Sequence, residues 1–263
     1  MAFEHCEPAA RSRGMHDSRF ECRAQTNLQL YVQLAAAGYS REELIAVRRA
    51  YEFATRVFAA QLRPDGRPFV CHVVGVSSIL AMVDAPIGTI IGGLLHSAYT
   101  HGDFGYGRGQ VTRSGRVRLR KAAGLAVDQL VDCYSQHPWN RTTVAFLTAN
   151  AAKVDSNLRQ VALIRVADAL DDAFDHALQL SRKTLNPNRP ISVESLVQLA
   201  IAIEQQELGE ELRRVLDVTR IPPPTFEGLQ DPHAASYLVC PMSWRENVLT
   251  RMIRVVRLRR RGD

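Results

Sequence analysis

The chain has 263 residues, 46% hydrophobic and 23% charged, which excludes an intrinsically disordered chain and suits one large globular domain with appendages. Thirty-three basic against 27 acidic residues leave a net +6, a figure that at first invites nucleic acid or an anionic membrane surface. The charge is local, however. Residues 244–263 hold seven Arg against Glu246 and Asp263, and Arg108, Arg113, Arg116, Arg118, Arg120 and Lys121 form a second cluster with no acid among them. The remainder is net negative, so no specific nucleic-acid partner is expected.

Residues 1–25 carry no sustained period and read as a flexible N-terminal tail. A helical domain is expected over 26–220. Asn27–Ala37 is one short amphipathic segment closed by Gly38. Ser40, with Glu43 three residues on, is a capping box that opens a long helix with Leu44, Val47, Ala50, Phe53, Ala54, Val57 and Phe58 on one face. Pro64-Asp-Gly66 ends it as a turn. Phe69–Val83 and Ile87–Tyr99 read as two buried helices, and the five glycines of Gly102–Gly115 as a loop. Gly124–Tyr134, Thr142–Ala151 and Leu158–Leu180 follow as helices, with a break over Asn186–Pro190 and a further helix from Val193 to about Val218. Residues 221–263 read as an irregular segment and a basic amphipathic helix, Trp244–Leu258, suited to docking a partner or an anionic surface. Strand signals are nearly absent, so the fold class is all-α.

The longest apolar stretch, Ile87–Leu95, is far short of the roughly 18 residues that a membrane span needs. The N-terminus is polar and of mixed charge, unlike a secretory signal. Five cysteines, odd in number and without CxxC spacing, fit a reducing cytoplasm better than a disulfide framework or a zinc knuckle.

Three motifs carry candidate chemistry. Arg63-Pro-Asp-Gly-Arg67-Pro-Phe-Val-Cys-His72 leads into the first apolar helix, and Gly92-Gly-Leu-Leu-His96-Ser97 lies towards the end of the second. Leu163-Ile-Arg-Val-Ala-Asp168-Ala-Leu-Asp-Asp172 lies on the long later helix. Each sets a metal-ligand residue type among apolar neighbours. A charged Asp168 beside Ile164, Val166, Ala167 and Leu170 is costly to bury unless it is paired or coordinated, and an ion shared with two imidazoles would compensate it. The plainer reading makes His72 and His96 core histidines bonded to backbone carbonyls. Cys71, beside His72, reads as packing.

In order, helical context and flanking residues, these motifs resemble the HD-domain superfamily of helical metal-dependent phosphohydrolases. The likeness is greatest to its guanosine tetraphosphate hydrolase branch, the RelA/SpoT type. The matches are Arg63, Gly66, Pro68, Phe69 and His72, then Leu94, Leu95 and His96, then Ile164, Arg165, Ala167, Asp168 and Leu170. Gly124–Val131 resembles the segment between the second and third motifs, and the likeness covers roughly residues 45–185. It implies an HD-domain-like helical bundle with extra terminal helices. It also implies a divalent metal on His72, His96 and Asp168, with manganese ahead of iron or zinc for such a two-His-one-carboxylate set. A small phosphorylated substrate would meet Arg63, Arg67, Ser97, Thr100 and Asp172.

The chain departs from the pattern at three places. The family's His-Asp doublet reads His96-Ser97, its Glu-Asp pair falls at Thr100-His101, and its closing Arg-Leu-His-Asn reads Ala169-Leu170-Asp171-Asp172. His101, four residues past Ser97, and Asp103, seven past His96, are candidates for the lost catalytic roles; otherwise they are solvated loop residues. Asp171, Asp172 and Asp175 read as a solvated face, with Asp172 lining the pocket. The central basic cluster either steers a phosphorylated substrate or faces solvent. Three functions are then expected in order: a divergent metal-dependent phosphohydrolase of a nucleotide or other small phosphate ester, an inactive binding or regulatory module, and other metal chemistry of an iron-oxygenase kind.

Overall fold

Side-chain caps set most of the helix starts. In the computed structural model, which describes residues 18–105, 107–109, 111–175, 191–218 and 236–239, Thr26 caps α1 (Asn27–Ala36) and Ser40 caps α2 (Arg41–Val57). Both caps are reciprocal boxes, closed by Gln29 and Glu43. Prolines stand before α3 (Phe69–Met82) and α4 (Ile87–Leu95), where a missing N–H costs nothing. A single turn, α5 (Ala98–His101), follows. Gly124, at φ +93°, both ends α6 (Arg113–Ala123) and begins α7 (Leu125–Gln136), a backbone state that favours glycine. Asn140, Asp155 and Ser192 cap α8 (Arg141–Asn150), α9 (Ser156–Phe174) and α10 (Val193–Ala202), and α11 (Gln206–Val218) comes next.

The class is all-α. The sheet among the described residues is one two-residue antiparallel pair, β1 (Gln61–Leu62) with β2 (Tyr237–Leu238), in which Gln61 faces Leu238 and Leu62 faces Tyr237. Helix α3 is buried along nearly its whole length, from Phe69 and His72 through Ala81, and packs against α4, α9 and α1. Around this centre, α2 and α7 flank α4, α6 bridges α2 and α7, and α8, α10 and α11 form a layer beyond α9. The buried apolar side chains, from Phe20 to Val215, make one contiguous core. No helix among the described residues is long and apolar enough to cross a membrane.

Three differences from the sequence reading have local causes. The apolar run Ile87–Tyr99 is two helices, broken at His96 and Ser97. The stretch Val193–Val218 is also two, parted where Glu204 takes a left-handed conformation at φ +64°. Helix α6 lies partly within the expected glycine loop and buries only Gly115 and Leu119, too thin a stripe for periodicity to register. Of the expected tail, Arg19–Cys22 forms a 3₁₀ turn whose Phe20 is buried in the core. Residues 1–17, the extension of the long helix to Leu180, the break at Asn186–Pro190 and the basic helix Trp244–Leu258 lie outside the described residues.

Part of the central basic cluster is structural. The side chain of Asp128 on α7 is fully buried and accepts from the Tyr99 hydroxyl, from Arg120 Nε at 2.7 Å and from Arg116 at 3.3 Å; Arg116 also reaches Asp132 at 3.0 Å. Burial alone would raise the Asp128 pKa, but the bonds from Tyr99, Arg120 and Arg116 bring it below the ordinary carboxylate range. Its stabilising contribution is therefore complete above the unfolded-state pKa and is lost as pH falls through the depressed folded-state value. Asp128→Asn is expected to cost about 2–3 kcal/mol at pH 7, because it strips the charge from a buried cluster whose arginines are partly solvated. Urea unfolding should show a constant gap from wild type between neutral pH and about 5, which narrows as pH falls below about 4. A gap that does not change with pH would mean that Asp128 is not ionised in the fold.

Candidate metal centre

Packing of α3, α4 and α9 on one another brings together three residues far apart in sequence. His72 sits in the first turn of α3, His96 directly after α4, and Asp168 in the second half of α9. Their ligand atoms lie within 4.8 Å of one another. His72 Nε2 is 3.1 Å and His96 Nε2 is 3.7 Å from Asp168 Oδ1, and the two imidazoles meet edge to face at 5.4 Å between centroids. Both histidines are 1% exposed.

The far side of each ring fixes its tautomer. His96 Nδ1 lies 2.8 Å from the Gly93 carbonyl, which only accepts, so Nδ1 carries the proton. His72 Nδ1 lies 2.8 Å from Asp171 Oδ2 and likewise donates. Each Nε2 is buried without a hydrogen-bond partner. Two imidazole nitrogens and a carboxylate oxygen thus converge on one space, and their mutual repulsion is offset by a proton on His72 Nε2 or by a cation shared among them. The two rings titrate in opposite directions. Burial, against the pull of Asp168, lowers the His96 pKa to about 4 and keeps that ring neutral at pH 7. Burial and the Arg63 charge press His72 the same way, but the nearby carboxylates of Asp168 and Asp171 outweigh them and raise its affinity for a proton. With His72 deprotonated on Nε2 the donor set fits a divalent ion: two imidazole nitrogens with one carboxylate, each imidazole oriented by a bond at its other nitrogen. A second group, His72 with Asp171 and Asp172, also has ligand atoms within 4.8 Å. It fits less well, because there His72 presents its protonated nitrogen and Asp171 is already bonded on both oxygens.

Asp171 holds the support together. Its side chain has no exposure and accepts from His72, from Arg67 Nη1 at 2.7 Å and from Arg23 Nε at 2.7 Å. Burial would raise its pKa, yet the His72 bond and the Arg67 charge hold it well below the usual carboxylate range. Arg23 and Arg67 both go on to Asp175, Arg67 also donates to the Gln25 side chain and the Cys71 carbonyl, and the Arg23 guanidinium covers the Phe174 ring at 4.4 Å. Space for the cluster comes from Gly75, where a Cβ would lie 2.2 Å from Asp171 Oδ1 and 3.0 Å from Arg67 Nη2. Asp171 and Asp175 are therefore not the solvated face that their sequence suggests. Nothing in the sequence near Arg23 marked it for this centre, but the spacing of Ile164, Asp168, Asp171 and Asp175 sets all three carboxylates in one stripe with a core residue.

The other expected residues divide. Arg63 donates to Asp172 and lies 5.9 Å from the Phe69 ring. Asp172, half-buried beside Asp168 and Asp171, has its pKa raised to about 6 by desolvation even against the Arg63 charge. Arg67 is turned inward onto Asp171. Ser97, next to His96, is buried and makes no side-chain cap bond to α5. The Thr100 hydroxyl meets His101 Nδ1 at 2.9 Å, and the exposed His101 ring lies on Phe69, the ring that also edges His72. Asp103 is not brought to the centre. It accepts from the Gly105 and Gly107 amides and faces a different cavity. Tyr134, unmarked in the sequence, donates to Asp168 Oδ2 at 3.0 Å and packs on His96, with Arg165 stacked on its ring at 3.5 Å.

No family model matches the sequence. A 68-residue stretch is 40% identical to a probable GTP pyrophosphokinase of Mycobacterium leprae (strain TN), covering 26% of this chain and 8% of that protein. A stretch of the same length is 38% identical to the bifunctional (p)ppGpp synthase/hydrolase RelA of Mycobacterium tuberculosis, covering 26% of this chain and 9% of the relative. The chain thus matches less than a tenth of the length of these curated relatives, and the likeness is to one region of RelA/SpoT-type proteins.

The closeness of Gly75 to Asp171 gives a test of the support. Gly75→Ala is expected to cost about 1–3 kcal/mol in urea unfolding, the usual cost of overpacking, because the intruding atom meets a charged pair that has nowhere to go. A stability equal to wild type would show that the Asp171–Arg67 pairing is looser than described.

Proposed function

We propose that this chain is a divergent HD-type phosphohydrolase of the RelA/SpoT branch, which holds a divalent cation between His72, His96 and Asp168 and acts on a nucleotide or other small phosphate ester. One observation carries the reading: two buried, partnerless imidazole nitrogens face a single carboxylate oxygen. The short likeness to a probable GTP pyrophosphokinase and to a (p)ppGpp synthase/hydrolase supports a nucleotide as substrate class. A divalent ion there supplies Lewis-acid polarisation of a phosphoryl group and activation of water, with manganese favoured over iron or zinc.

The chain's own residues contribute position and charge. Asp171 keeps His72 in the tautomer that offers Nε2, and the Gly93 carbonyl does the same for His96. Arg63, drawn to Asp172 in the free protein, is the nearest cation to turn onto a substrate phosphate. His101 flanks the centre beside Phe69 and would serve as the proton acceptor. A second reading, a binding module without turnover, draws on the lack of a carboxylate at Ser97, Thr100 and His101.

The full chain, purified without chelator, is expected to carry metal by elemental analysis and to bind Mn²⁺ in calorimetry. His96→Ala should weaken that binding at least about tenfold, the scale of a lost ligand contact. Ser97→Asp, which adds a hard oxygen ligand, should tighten it. Absence of metal affinity in wild type sinks the proposal. Release of phosphate or pyrophosphate from a nucleotide panel by the Mn²⁺-loaded protein supports hydrolysis, and metal binding without release selects the binding module.

A further inference from the structure

A cavity of about 910 Å³ lies between α2, α6 and the loop that follows α5, and none of His72, His96, Asp168, Arg63 or Asp172 lines it. Its volume is that of a small-molecule site of about 300–1,000 Å³. The floor is apolar: Phe53, Val57 and Phe104 are buried beneath it, the two phenyl rings 6.1 Å apart, and Leu238 on β2 stands at the rim 45% exposed. The walls carry five cations, Arg49, Arg56, Arg108, Arg118 and Lys121, against two carboxylates, Glu52 and Asp103.

Both carboxylates are already engaged. Glu52 accepts from Arg48 at 2.8 Å, and Asp103 Oδ1 accepts from the amides of Gly105 and Gly107 at 2.6 and 3.1 Å. Two of the cations are also held, Arg108 by the Ser236 carbonyl at 2.7 Å and Arg118 by the Phe104 carbonyl. The other three, Arg49, Arg56 and Lys121, make no ion pair among the described residues. On α2 the spacing of 49, 52, 53 and 56 puts both arginines on the face that presents Phe53. Lys121 reaches the same space from α6, three residues past Arg118.

Surplus positive charge on a convex helix face is solvated and needs no explanation. Cations gathered from three chain segments around a concavity repel one another across a low-dielectric floor, and that cost is relieved by an anion. The apolar lining asks for more than an anion, since phosphate alone would leave Leu238 at the rim, 45% exposed, facing water above Phe53 and Phe104.

We propose that this cavity is a second ligand site, separate from the metal centre, which takes a nucleotide-sized phosphorylated molecule: its phosphoryl groups on Arg49, Arg56 and Lys121, its flat apolar body over Phe53 and Phe104. The inference does not depend on the reading of the metal centre, because it uses neither its residues nor a metal.

The test is a titration of the full chain with ADP carrying a methylanthraniloyl fluorophore, in EDTA so that the metal centre makes no metal-dependent contribution. Saturable binding is expected, displaced by unlabelled ADP and not by adenosine, and weakened when salt is raised from about 50 to 300 mM. Arg56→Glu with Lys121→Glu should weaken binding at least about tenfold, whereas Asp168→Asn should leave it within about twofold. Both reversed residues are exposed and make no ion pair among the described residues, so the double variant should keep the wild-type melting temperature. If it does not fold, Arg56→Gln with Lys121→Gln removes the charge without reversing it and should still weaken binding. Lack of saturable binding, binding indifferent to either double variant, or loss of binding in Asp168→Asn instead would overturn the proposal. Inorganic pyrophosphate competing as well as ADP would overturn the role given to the apolar floor.

Discussion

An ionised carboxylate taken wholly out of water costs several kcal/mol unless donors and positive charge surround it. Asp171 is such a carboxylate, and the way it is compensated organises the middle of this protein. One oxygen accepts from His72 and Arg67, the other from Arg23. Those three donors belong to the start of α3, to the turn before it and to the segment ahead of α1. A single buried charge on α9 therefore ties together three pieces of chain that are far apart in sequence. Removing a donor would leave the charge without its match, so the fold and the candidate metal centre share one electrostatic requirement.

The same carboxylate sets the chemistry of His72. A neutral imidazole can offer either nitrogen, and only a strong acceptor at Nδ1 commits Nε2 to the centre. His96 is committed more cheaply, by the carbonyl of Gly93 at a break in its helix. The two rings are thus prepared alike through different means, one by charge and one by backbone. Where the resembled family reads Arg-Leu-His-Asn, this chain reads Ala169-Leu170-Asp171-Asp172, and Asp171 lies behind the histidine. Arg67 is drawn to the same place, its guanidinium held by Asp171 and Asp175.

How much of this the sequence reveals depends on how local the cause is. Helix starts were legible at Ser40 and Glu43, whose reciprocal bonds join neighbours three residues apart. The all-α class was legible in the 3.6-residue period of α2 and α9. His72, His96 and Asp168 stood out because each is a metal-binding residue type in apolar surroundings. Asp171 did not, because its immediate neighbours include two more carboxylates and its partners lie 104 and 148 residues away. Arg23 sat in a stretch without periodicity, and α6 had too few apolar residues to announce itself. Glu204 gave no warning either, since no general rule places a left-handed glutamate between two helices. Long-range electrostatics and single backbone kinks are the parts of a fold that composition and spacing express least.

The short ladder between Gln61–Leu62 and Tyr237–Leu238 joins points about 175 residues apart, with almost every helix of the bundle lying between them. Closing so long a loop forfeits chain entropy that four residues of pairing barely repay, so this ladder belongs late in any assembly order. Leu238, which that ladder delivers, also forms part of the rim of the basic cavity. Folding of the helical core and completion of that rim are consequently separable events, and the ladder is a place where the structure can open without the core coming apart.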